Sequence, residues 1–130
     1  MISPEKAPKV GIVMADGHPI VLQGLKHLFQ SEPDLEVLAC CTSEQETLDA
    51  VFGHEPAVLM LDWHLPHRGG SAVLREITRR KSTTRTVVAM SRIVENEVAE
   101  AIRLGARGVI VKEMAPRFFV HCVRRVHRGL

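Results

Sequence analysis

Four polar residues stand directly after short apolar runs: Asp16, Asp62, Ser91 and Lys112. Two carboxylates, a hydroxyl and an ammonium have a definite joint chemistry if the fold brings them together. A carboxylate can attack phosphorus and become an acyl phosphate. The charge on the phosphoryl oxygens then calls for a cation, a hydroxyl or backbone donor, and commonly Mg²⁺. Asp62 fits as the acceptor, with Lys112 and Ser91 as the groups on the phosphoryl oxygens. Taken singly, such residues populate loops because they are polar and cap helices. Their joint chemistry therefore depends on the elements that position them.

Five apolar runs, over 9–15, 35–41, 57–61, 86–90 and 108–111, are rich in Val, Ile, Leu or Met and read as strands. Three of them are continuously apolar rather than alternating, the pattern of a parallel sheet covered on both faces. Between the strands the apolar positions recur at helical spacing. The first helix follows Pro19 through Val21, Leu25, Leu28 and Phe29. Ser43 and Glu46 form a capping-box pattern opening the second. Val73, Leu74 and Ile77 define the third, whose end carries Arg79, Arg80 and Lys81. The fourth holds Val98, Ala101, Ile102 and Leu104, the first three read as core, and stops at Gly105. The fifth begins at Pro116 and runs through Phe119, Cys122, Val123 and Val126.

Strand and helix alternate five times, and right-handed crossovers leave few windings. The expected fold is α/β: a doubly wound (βα)5 flavodoxin-like sandwich with a five-stranded parallel sheet in the order 2-1-3-4-5. In that fold function sits beyond the carboxyl ends of the strands, which is where the four polar residues fall.

The chain of 130 residues is one domain's worth, enough to bury a core without disulfides or metal staples. Residues 1–8 read as a tail and 9–130 as the domain. The net charge of +2 hides a division at His67. Residues 1–67 carry 3 Lys/Arg against 10 Asp/Glu, and residues 68–130 carry 14 against 5. The basic residues from Lys112 onward come without a recognition-helix pattern and read as a solvated helix face rather than a nucleic-acid surface. Cys40, Cys41 and Cys122 are odd in number and lack CxxC spacing, so neither a zinc site nor a disulfide framework is expected, and a reducing cytoplasm is. The longest apolar run, 57–61, is far below the roughly 20 residues that span a bilayer, so no membrane partner is expected.

The segments Ala15-Asp16-Gly17-His18-Pro19, Leu61-Asp62-Trp63-His64-Leu65-Pro66, Val88-Ala89-Met90-Ser91 and Gly105 to Lys112 resemble the receiver domain of bacterial two-component response regulators, most closely the NarL/FixJ (LuxR-type) group. The resemblance covers essentially the whole domain with its motifs in order. It implies that Asp62 accepts a phosphoryl group from a sensor histidine kinase and that Ser91 and Lys112 contact the phosphoryl oxygens. It implies Mg²⁺ in a pocket formed by Asp16, Asp62 and the backbone carbonyl of His64. It also implies a cytoplasmic signalling switch rather than an enzyme, one that at most assists its own phosphorylation and dephosphorylation. The output would be transcription through a DNA-binding domain outside this chain, with apolar surface on helices 4 and 5 available for a homodimer.

Three positions depart from that pattern. Where the family carries a second acid that touches the metal, this chain has Gly17, so the Mg²⁺ site is expected to be weakened; restoring Asp at position 17 is expected to strengthen it. Val109 stands where an aromatic commonly changes rotamer on phosphorylation, and its χ1 is stiff. Arg92 replaces a small residue beside Ser91 and would either obstruct small phosphodonors or pair with the phosphoryl group. These motivate an alternative: a degenerate receiver acting as a phosphorylation-independent protein interaction module. A haloacid dehalogenase type of phosphatase fails on His64, which stands where its general acid would be. His18, His64 and His67 fall in loops at the same rim, but no HxxxH spacing supports a transition-metal site, and they read as polar loop histidines.

Overall fold

The structure, a computed structural model, describes residues 8–130; apart from Pro8, the expected tail lies outside the described residues. The strands are β1 (Val10–Ala15), β2 (Leu35–Cys41), β3 (Val58–Asp62), β4 (Arg85–Met90) and β5 (Gly108–Val111). The helices are α1 (Pro19–Gln30), α2 (Glu44–His54), α3 (Gly70–Arg79), α4 (Glu95–Arg103) and α5 (Pro116–His127). All strand pairs are parallel, and the sheet order is β2-β1-β3-β4-β5, as the alternating pattern predicts.

Successive strand residues point to opposite faces, and the two faces form two cores. Val13, Leu59, Leu61, Val88 and Met90 pack with Val51, Val73, Leu74 and Ala101 of α2, α3 and α4. Ile12, Met14, Val58, Met60, Ala89 and Ile110 pack with Leu22 and Phe29 of α1 and Phe119, Val120 and Val123 of α5. Continuous apolarity in β3 is thus the signature of a strand with no solvent face: all five of its residues are buried.

Local signals set the helix starts. At α2 the Ser43 hydroxyl accepts from the Glu46 backbone N–H at 3.2 Å, while the Glu46 carboxylate reaches back to the Thr42 N–H at 3.2 Å. The hydrogen bonds from Thr42 hold the Glu46 carboxyl below its ordinary range. Pro19 and Pro116 occupy the first turns of α1 and α5, where a missing N–H costs nothing. Gly70 opens α3 in close approach to β3: a Cβ there would lie 2.6 Å from the Asp62 carbonyl oxygen.

One expectation is corrected. Ile102, read as core, is 59% exposed, because the neighbouring Ala101 takes the inward position of α4 and the next residue turns away. The cations expected at the end of α3 are there, and two of them are also paired with a side chain. Arg79 and Arg80 both fold back onto Glu76, at 2.6 and 2.8 Å, and hold its carboxyl down at about 2. The basic face of α5 is likewise partly committed. Arg124 bridges Glu32 and Asp34 at 2.9 and 2.7 Å, and Arg85 donates to the last carbonyls of α5, those of Val126 and His127.

Candidate functional site

Pleat and register bring three of the four candidate residues together. Asp16 follows Ile12 and Met14, Asp62 follows Val58 and Met60, and Lys112 follows Ile110, so each continues the row that faces α1 and α5. Asp16 lies one residue past β1, anchored by its backbone N–H on the Cys41 carbonyl at 3.0 Å. Asp62 is the last residue of β3 rather than the first beyond it. Lys112 follows β5, its N–H on the Met90 carbonyl at 2.8 Å. The lysine must cross β4 to reach the acids, and the β4 residue opposite Asp62 is Ala89, whose methyl leaves room for the stem.

The Lys112 ammonium lies 2.7 Å from Asp16 Oδ2 and 3.1 Å from Asp62 Oδ1. Both carboxylates are buried, at 4% and 2% exposure, so their mutual repulsion is weakly screened and the shared cation offsets it. One cation between two anions leaves the pocket net negative. The remaining bonds are local. The His18 backbone N–H donates to Asp16 Oδ1 at 2.8 Å, and the His64 backbone N–H donates to Asp62 Oδ1 at 3.0 Å. The hydrogen bonds of Asp62 thus fall on Oδ1. Oδ2 is left as the oxygen able to act as a nucleophile, and it is not among the sealed, unpartnered atoms of the described residues.

A divalent cation fits this donor set. Asp16 and Asp62 offer oxygens with the His18 ring nitrogen, all within 4.8 Å of one another. The His64 carbonyl, the predicted backbone ligand, accepts no backbone hydrogen bond among the described residues. Mg²⁺ keeps several waters and needs few carboxylates.

The fourth candidate stands apart. Ser91 is exposed and makes no hydrogen bond to Asp62 or Lys112 among the described residues. Arg92 is exposed and has no salt-bridge partner among them, and Val109 packs half-buried against the core on the α2–α4 side. Gly17 has a spatial partner invisible in sequence: a Cβ on it would lie 2.8 Å from Cδ and 3.0 Å from Cγ of Pro66. The proline ring thus crowds the Cβ that an aspartate at position 17 would bring, so Pro66 has to shift before that acid can strengthen anything.

Sequence reasoning missed two further features. His64 reaches Glu97 of α4 at 3.3 Å, linking the loop after Asp62 to that helix. A cavity of about 300 Å³ opens beside the acids between α1 and α5, walled by Met14, Leu25, Met60 and Phe119, with Gly24 contributing no side chain. Trp63 is buried at 7% exposure in the core against α3, so its ring reports the packing beneath the site.

This strand-end arrangement of two acids and a lysine on a 2-1-3-4-5 sheet has known counterparts. The response regulator receiver domain family matches residues 12–124, and the chain belongs to it. DegU of Brevibacillus brevis is 26% identical over 121 residues, covering 93% of this chain and 51% of that protein. DevR/DosR of Mycobacterium tuberculosis is 28% identical over 120 residues, covering 92% and 55%. The chain spans about half the length of the curated relatives it matches, which are NarL- and DegU-type transcriptional regulators. Among solved structures, the signal receiver domain of NarL from Mycobacterium tuberculosis superposes with a TM-score of 0.91 at 22% identity, over 95% of this chain and all of that one. CheY from Borrelia burgdorferi, in a complex with CheX, BeF3⁻ and Mg²⁺, gives 0.84 at 19% identity, over 93% and 90%. Among the described residues no helix is long and apolar enough to cross a membrane.

Proposed function

We propose that Asp62 is the phosphoacceptor of a two-component signalling switch, receiving its phosphoryl group from a sensor histidine kinase. The observation that carries this reading is the Lys112 ammonium shared by two buried carboxylates, with Asp62 held through Oδ1 alone. Asp62 Oδ2 attacks phosphorus as the bond from phosphorus to the donor's imidazole nitrogen breaks, so the phosphoryl group moves from nitrogen to oxygen. Lys112 then exchanges one of its two carboxylate contacts for a phosphoryl oxygen. Ser91, exposed at the end of β4, takes another when the β4–α4 loop closes over the group. Mg²⁺, held by Asp16, Asp62 and the His64 carbonyl, would neutralise charge on the phosphoryl oxygens. The domain acts as a switch and not as an enzyme on external substrates. Its output is transcriptional, through a DNA-binding domain of the kind that DNA-binding relatives such as DevR/DosR carry, and α4 and α5 offer exposed Ile102 and Phe118 for pairing of two copies.

A second reading draws support from Gly17, which supplies no second acid and is backed closely by Pro66: partner binding would then set the state of the domain without phosphorylation. Beryllofluoride, which mimics the acyl phosphate, separates the two. Added with millimolar Mg²⁺, it is expected to change Trp63 emission in the parent protein and to leave Asp62→Asn unchanged. Identical, flat responses in both proteins would favour the partner-controlled reading.

A further inference from the structure

We propose that His18 is a metal-ligating residue of this pocket, and that the pocket takes a later first-row transition dication of the Co²⁺ and Zn²⁺ class in preference to Mg²⁺. The inference rests on the reading of Asp16 and Asp62 as a metal pocket. The His18 ring nitrogen Nδ1 lies 3.1 Å from Asp16 Oδ1, and a nitrogen of this ring shares a 4.8 Å cluster with oxygens of Asp16 and Asp62. It is the one such mixed cluster among the described residues.

Three features make the imidazole more than a polar loop side chain. Its backbone is fixed: the His18 N–H is bonded to Asp16, and Pro19 follows as the first residue of α1, so the ring is delivered to the pocket edge with only its own torsions free. Its side chain is 73% exposed, with Asp16 its one hydrogen-bond partner among the described residues, so turning it onto a cation breaks a single contact. The competing carboxylate is absent, because position 17 is a glycine, and Pro66 lies close enough to crowd the Cβ of any larger residue there. The other rim histidine with a partner, His64, is directed to Glu97 instead.

The chemistry follows from ligand type. Carboxylate, carbonyl and water suit Mg²⁺, whereas imidazole suits zinc, copper, iron and nickel, and affinity at a mixed nitrogen and oxygen site rises along the first-row series. Exchanging a carboxylate for an imidazole in a pocket that keeps two aspartates therefore lowers the draw on Mg²⁺ and raises it for a transition dication. The metal that loads Asp62 would then differ from the one the family generally uses.

The test uses Co²⁺ as probe, read by its visible absorption on titration into the parent chain, His18→Ala and His18→Asp, with Mg²⁺ affinity taken from Trp63 emission. We expect Co²⁺ to bind the parent at least about tenfold more tightly than His18→Ala, with Mg²⁺ affinity changed less than about twofold. His18→Asp is expected to narrow the preference for Co²⁺ over Mg²⁺. Equal Co²⁺ affinity in parent and His18→Ala overturns the inference, as does displacement of Co²⁺ by an equal concentration of Mg²⁺. Beryllofluoride responses in Mg²⁺ separate the two levels of failure. If they persist in His18→Ala while Co²⁺ affinity is unchanged, only the role of His18 falls. If Asp62→Asn binds Co²⁺ as tightly as the parent, the pocket itself has been misassigned.

Discussion

The two sides of the carboxyl-end rim are built to different standards. Around β1, β3 and β5 the side chains are buried and tied: Asp16 and Asp62 share Lys112, and backbone N–H groups of His18 and His64 hold one oxygen of each acid. Around β4 and α4, Ser91, Arg92 and Ile93 are exposed, and among the described residues the ion pair from α4 to the loop after Asp62 is the His64 to Glu97 contact at 3.3 Å. The helices differ in the same sense. α5 buries Phe119, Val120, Val123 and Val126, whereas α4 buries Ala101 alone. On the proposed function, a tied carboxylate pocket on one side and a lightly anchored helix on the other would keep the reacting groups in place while displacement stays cheap on the loose side.

The contrast can be broken most severely at Lys112. Lys112→Met leaves two buried carboxylates without their cation, and a loss of roughly 3 kcal/mol in urea unfolding is expected, discounted from a fully buried pair because the lysine is partly exposed. A dication should restore much of it. No loss of stability, or no dependence on added metal, would mean the acids do not repel as described.

Next in size is the pairing of Gly17 with Pro66. Gly17→Asp alone should cost roughly 2 kcal/mol through overpacking and fail to tighten Mg²⁺. The double variant Gly17→Asp, Pro66→Ala should recover stability and tighten Mg²⁺ beyond the parent. Additive effects in the double-mutant cycle would show the two positions to be independent.

Anchoring of the helices supplies a third measurement, amide hydrogen exchange. Amides of α4 should exchange faster than those of α5 by at least about tenfold, a difference of roughly 1.4 kcal/mol in opening. Equal protection would remove the distinction between the two sides.

The smallest effects are expected on the loose side itself. Ser91→Ala, Arg92→Ala and Glu97→Gln should each change stability by less than about 0.5 kcal/mol, since none loses a buried contact. Ser91→Ala should nevertheless slow accumulation of the phosphorylated form. A large stability loss at any of the three would place these residues in the structural frame.

Much of this was legible in the sequence, for a physical reason. Strand periodicity and burial are local properties, so residues such as Leu59 and Leu61 announce a strand with no solvent face, and the residues that end such strands announce the rim. Pro19, Ser43 and Pro116 mark helix starts through their own backbone chemistry. What stayed hidden depends on distance in space. Gly17 could be read as a missing acid, but not as a glycine pressed against Pro66. Arg124 could be counted as a basic helix residue, but not matched with Glu32 and Asp34 some 90 residues earlier. The exposure of Ile102 is hidden because hydrophobicity alone does not say which of two adjacent residues a helix turns inward. The closeness of His18 to Asp16 and Asp62 is hidden for a similar reason, since a spacing rule drawn from helices says nothing about a histidine two residues after an aspartate at a strand end.

The central claim is that Asp62 carries the phosphoryl group, and intact-protein mass spectrometry tests it most directly. Incubated with a small acyl phosphate donor or a histidine kinase, in Mg²⁺ and separately in Mn²⁺, the parent chain should gain one hydroxylamine-labile phosphoryl group located on Asp62, and Asp62→Asn should gain none. No gain in the parent under any of these conditions, or the same gain in Asp62→Asn, would contradict the account.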